Sequence, residues 1–172
     1  VIDEVLERLF DLQPTFPPFE LELGRLVASE ITDQVKRERF TSDYQSGYAE
    51  FQRIRRDQSI PYHERFLAWL RPFIGKLNQR HFDELVRYFR INDNFFKAVT
   101  IMKRILGLEE IEIIIVSGTI TQLIEAFLNR EDVRRRLEEH NIRIRVEATE
   151  LVMDESGTFT GGIKPVSDLV SV

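Results

Sequence analysis

The chain has 172 residues, 42% hydrophobic and 31% charged, with a formal net charge of −5. That is the balance of an ordinary globular domain, and it lacks the basic surplus that a general nucleic-acid or anionic-membrane binder needs. The sequence contains no cysteine, which excludes disulfides, thiolate catalysis and cysteine-held zinc and fits a cytoplasmic setting. His63, His81 and His140 are scattered without metal-ligand spacing, and no apolar run approaches the ~20 residues of a membrane helix. No basic segment followed by an apolar one opens the chain. Neither nucleic acid nor membrane is therefore an expected partner, while a small anionic ligand held in a local pocket is compatible with this balance.

The first hundred or so residues read as helical. "VIDEVLERLF" sets Val1, Val5, Leu6 and Leu9 on one stripe. Pro14, Pro17 and Pro18 then break the pattern. One helix is expected from about Glu20 into "ITDQVKRERF". In "PYHERFLAWLRPFIGKL" the spacing of Tyr62, Phe66, Trp69, Leu70, Phe73 and Leu77 predicts a helix, begun at Pro61 and kinked or divided at Pro72. "QRHFDELVRYFRI" repeats the pattern. "NDNFFKAVTIMKRILGL" predicts another helix, capped by an asparagine or aspartate and ended by Gly107. These aromatic helices read as a bundle core. The i,i+4 pairs Arg134–Glu138 and Arg135–Glu139 read as a solvated face.

The texture changes at Leu108. "IEIIIV" is expected to be a strand buried on both faces of a parallel sheet. A helix is expected to follow to about Leu128, then a short one capped by Asn129. "IRIRVEATELVMD" contains one or two strands, and Leu151–Phe159 reads as a hairpin. The order predicts an α/β protein in three parts: an N-terminal segment, 1–19; a helical insertion or cap, 20–107; and an α/β core, 108–172.

The Val116–Thr119 corner carries the functional expectation. Ligands of open α/β sheets bind beyond the carboxyl ends of the strands. Thr119 is positioned to cap the next helix, with Gln122 completing a capping box. The amides of such a helix start favour an anion, and Ser117 adds a hydroxyl. Plain helix capping is the competing account.

Three pieces in order, Val116-Ser117-Gly118, Ala148-Thr149-Glu150-Leu151 and Gly157-Thr158-Phe159-Thr160-Gly161, resemble the phosphoserine-phosphatase-like branch of the haloacid dehalogenase superfamily. The resemblance covers roughly Phe95 to Lys164. It implies a Rossmann-like parallel sheet core under a helical cap. It also implies a Mg²⁺-dependent hydrolase that cleaves a small phosphate monoester through an aspartyl-phosphate. Residue by residue, it makes Asp11 the nucleophile and Lys164 the charge-balancing lysine. Ser117, Gly118 and Thr119 become the phosphate-binding group, and Asp11 and Asp168 the metal ligands. The first motif departs from the family pattern: Gln13 stands where the acid/base carboxylate belongs, and Pro14 where the glycine belongs. A glutamine cannot shuttle a proton. Glu20 and Glu22 form a displaced carboxylate pair whose plainer reading is a helix face. The late acidic motif is not in the chain, and Asp168 is the one carboxylate after Lys164. The alternative function is therefore a catalytically impaired or truncated relative that acts as a binding or interaction protein. A wholly helical interaction module is the third possibility.

Overall fold

The computed structural model describes residues 18–166. They form a mixed α/β protein in two compact units, Val86–Thr149 and the described part of Phe16–Leu85 together with Glu150–Pro165.

The second of these is built on helices. Helix α1 spans Phe19–Glu30 and α2 spans Gln34–Ile54. The sequence reading joined them, but Ile31–Asp33 separates them. Asp33 ends the break by accepting the Lys36 N–H on its side chain at 2.9 Å, so an N-cap overrides a continuous charged pattern. Helix α3, Tyr62–Leu70, begins after Pro61 and gives way to a 3-10 turn at Arg71–Phe73, where Pro72 divides it as expected. Helix α4 spans Gln79–Leu85.

The core of this unit is aromatic. Trp69, Phe73, Phe82 and Phe159 are fully buried with Leu23, Leu70 and Leu77. Phe73 meets both Phe40 and Trp69 edge-to-face, with ring centroids 5.5 and 5.7 Å apart, a geometry that adds to simple area burial. Gly47 lets α2 and α3 touch: a Cβ built there lies 2.6 Å from the backbone oxygen of Ala68. The loop after Phe73 is tied to a strand, with Gly75 N–H donating to Phe159 O at 2.9 Å and Phe159 N–H to Leu77 O at 2.8 Å. The buried His81 ring sets the start of α4. Its Nδ1 accepts the Asn78 N–H at 3.1 Å, which leaves the neutral ring's proton on Nε2, 3.3 Å from Glu30 Oε1.

In the other unit, a 3-10 turn at Val86–Tyr88 leads to helix α5, Asp93–Leu106. Asn92 caps its start through the Asn94 N–H, and Gly107, at φ 66°, ends it. Strand β1, Ile111–Ile120, is followed by α6, Thr121–Leu128, α7, Glu131–Glu139, and strand β2, Ile142–Met153. The strands pair in parallel from Ile111↔Ile142 to Ser117↔Ala148, and the two helices make the crossover that parallel pairing requires. Phe96, Val99 and Ile142 pack with Ile111, Ile113, Leu137 and Ile144. The Arg130 guanidinium donates to the carbonyls of Val86 and Phe89 at 2.7 and 2.5 Å while lying over the Phe127 ring.

Two expectations for this unit are corrected. β1 is not buried on both faces. Glu112 and Ile114 are exposed and the pattern alternates, which marks a strand covered on one side. Arg130, not Asn129, precedes α7, while Asn129 terminates α6.

β2 pairs with β1 through Thr149. From Glu150 it pairs antiparallel with β3, Phe159–Lys164, giving the sheet order β1-β2-β3. The anticipated hairpin is thus present, and a wholly helical module is ruled out. No described helix is long and apolar enough to cross a membrane. Gly47→Ala is expected to destabilise the protein by about 1–3 kcal/mol, because backbone rather than a flexible side chain must move. Urea unfolding should show a lower midpoint with an unchanged slope.

Candidate functional site

The Ser117 corner is a break in the parallel ladder. Ser117 pairs with Ala148, but the next paired residue, Thr149, faces Ile120. Gly118 and Thr119 are therefore extra residues in β1 with no counterpart on β2, a bulge that re-aims the chain. Ser117 is buried, 2% exposed, and its Oγ accepts the Thr119 N–H at 3.1 Å. Thr149, wholly buried, donates its hydroxyl to Gly118 O at 3.4 Å. Both buried hydroxyls thus find backbone partners inside the bulge, as burial demands.

This geometry changes the role expected of Thr119. α6 begins at Thr121, its N-cap residue is Ile120, and no side chain caps it. Thr119 lies one residue too early to cap, so the capping box with Gln122 does not form; Gln122 is buried within the helix. The side-chain capping account of the corner falls with it. What remains is a helix start whose N-cap residue, Ile120, brings no side-chain cap, preceded by an exposed Gly118 at the carboxyl end of a parallel strand. Backbone N–H groups so placed favour an anion.

The hairpin is closed by one carboxylate. Asp154 Oδ1 accepts the Ser156 N–H at 2.9 Å, the Ser156 hydroxyl at 2.6 Å and the Thr158 N–H at 2.9 Å. Gly157 supplies the positive φ of 75° that other residues adopt at a cost. The Ser156 hydroxyl, then the Thr158 amide, hold the Asp154 carboxyl below its ordinary range.

The remaining candidates are dispersed. Lys164 is exposed in the unit opposite to that of Ser117, and its Nζ is 3.0 Å from Glu150 Oε1, its cross-strand neighbour. Asp11 and Asp168 lie outside the described residues. Among the described residues no group of three or more His, Cys, Asp or Glu gathers to hold a metal ion. The displaced pair Glu20 and Glu22 does not converge. Residues two apart on a helix diverge, and Glu22 bonds Arg25 instead. Burial raises the Glu20 carboxyl, opposed by its backbone N–H and by Arg55.

One cluster escaped the sequence reading. Between α5 and α7 the Arg136 guanidinium lies 4.6 Å over the Phe96 ring and is ion-paired with Asp93. The His140 ring packs on the same phenyl, its Nδ1 3.1 Å from Thr100 Oγ1, and Lys103 Nζ donates to His140 O at 2.7 Å. The i,i+4 spacings Phe96/Thr100 and Arg136/His140 are visible in sequence; that the two faces meet is not.

No protein-family model matches the chain, and a search of curated proteins found no match.

Two outcomes follow. Ser117→Ala should destabilise by about 1 kcal/mol, the cost of leaving the bulge amide without its acceptor, measured by chemical denaturation. For Asp154, a carboxyl lowered in the folded state stabilises above its unfolded value, about 3.9. That contribution disappears as pH falls through the lower folded value. The stability gap between the native chain and Asp154→Asn should therefore be full at neutral pH and narrow in acid.

Proposed function

We propose that the chain is a phosphatase-like protein with a Rossmann-like core, whose Ser117 corner binds the phosphoryl group of a small phosphate monoester. In this reading the ester is hydrolysed through Asp11. The observation that carries it is the bulge itself. Ser117, Gly118 and the start of α6 are gathered at the carboxyl end of a parallel strand, where α/β proteins bind their ligands. The sequence resemblance assigns the same serine to phosphate.

Hydrolysis proceeds in two steps. An Asp11 carboxylate oxygen bonds to phosphorus as the ester P–O bond breaks, and the departing alkoxide takes up a proton. Water then cleaves the acyl phosphate, restoring the carboxylate and releasing inorganic phosphate. Gln13 has no proton to give. Esters with acidic leaving groups, such as p-nitrophenyl phosphate, are therefore favoured over alkyl phosphates. Magnesium would fall to Asp11 and Asp168. Among the described residues no group of three or more His, Cys, Asp or Glu gathers to hold it.

The test is p-nitrophenyl phosphate turnover by the full chain, with and without Mg²⁺, alongside the thermal shift produced by inorganic phosphate. Asp11→Asn should abolish turnover. Ser117→Ala should lower kcat/KM by about a hundredfold and remove the phosphate-induced shift. Wild-type turnover by Asp11→Asn would overturn the catalytic assignment. A thermal shift without turnover would identify a non-hydrolysing binder, the form favoured by Gln13 and by the Lys164–Glu150 pair.

A further inference from the structure

The outer face of α5 has no role in the chemistry above. The helix buries Phe96 and Val99 on its inner side. Outward it exposes Ile101 (56%), Met102 (40%), Ile105 (77%) and Leu106 (60%), and Leu108 (44%) continues the patch past Gly107. Ile101/Ile105 and Met102/Leu106 are one turn apart, so the side chains are neighbours rather than scattered. Single exposed apolar residues are ordinary; a contiguous group marks an interaction surface.

Beside this ridge runs the cleft between α5 and α7, about 520 Å³ in volume, lined by Phe96, Lys97, Thr100, Ile101 and His140 and by the Asp93–Arg136 ion pair. Arg136 is fixed on the Phe96 ring and His140 on Thr100, so the wall of the cleft is held in place before anything binds. The charge on α5 is opposite to that of the whole chain. Lys97, Lys103 and Arg104 stand against the single acid Asp93, in a protein of net charge −5.

We propose that this ridge and cleft dock an acidic amphipathic helix of a partner protein. Apolar side chains at i, i+3 and i+4 of the partner cover Ile101, Ile105 and Leu108. Its flanking carboxylates face Lys97 and Arg104. This is the helix-in-groove mode, with charge setting orientation and partner choice. A second copy of the chain fits less well, since it would bring the same cations against themselves. A flat anionic bilayer fits less well too. Glu109 and Glu110 stand exposed immediately after Leu108 and would repel it.

The experiment titrates the full chain against a fluorescein-labelled synthetic helix with leucines on one stripe and glutamates elsewhere. The comparisons are its lysine counterpart, phosphatidylserine vesicles and sedimentation of the chain alone. The glutamate helix should bind at least about tenfold tighter than the lysine helix, and more weakly as salt rises. Ile105→Asp, and separately Lys97→Glu with Arg104→Glu, should each weaken it by about tenfold or more. All three side chains are exposed, and unchanged circular dichroism confirms that the fold survives. Equal affinity for the two helices would overturn the proposal. So would no binding up to about millimolar peptide, vesicle binding in preference to the peptide, or self-association that Ile105→Asp abolishes.

Discussion

The parallel ladder between β1 and β2 is the constraint on which the candidate site depends. Its register, constant from Ile111↔Ile142 to Ser117↔Ala148, brings Ser117 level with Ala148, one residue before the buried Thr149. The following slip then expels Gly118 and Thr119 from pairing. Side chains alternate across a strand, so an insertion decides which residues turn inward. Ser117 and Ile120 are buried while Gly118 is exposed. The two hydroxyls of Ser117 and Thr149 hold this arrangement by bonding the Thr119 amide and the Gly118 carbonyl of the bulge. A polar cluster of this kind is costly when half-satisfied and rigid when complete.

The elements were largely legible because their signals are local. The Asn92 cap, the Gly107 stop, the division at Pro72 and the Asp154 turn each rest on residues within a few positions of one another. The failures share a different cause. The break at Ile31–Asp33 was hidden because charged residues on both sides are equally good helix formers. The exposure of Ile114 was hidden because four apolar residues in a row, Ile113 to Val116, look alike whether one face or both are covered. The bulge could not be read at all. Ser-Gly-Thr before a helix is what a capped turn looks like, and only pairing with a distant strand distinguishes the two.

The same limit applies to the site. A serine just before a helix start was legible in the sequence; its burial and its bond from the Thr119 amide were not. The engagement of Lys164 by Glu150 was not legible, since the partners are 14 residues apart and meet only through the β2–β3 register. Nor was the Phe96–Arg136–His140 stack, in which a residue of α5, before β1, meets residues at the end of the crossover.

The Asp154 turn has a consequence for the order of folding. Its hydrogen bonds span at most four residues, so the β2–β3 hairpin closes on the microsecond scale typical of such loops. The β1–β2 ladder joins residues about thirty positions apart and must wait for α6 and α7 to order between them, which loop-closure entropy slows. The carboxyl-terminal half of β2 therefore acquires its neighbour first. The strand then serves as a preformed edge to which β1, with its bulge, is added last.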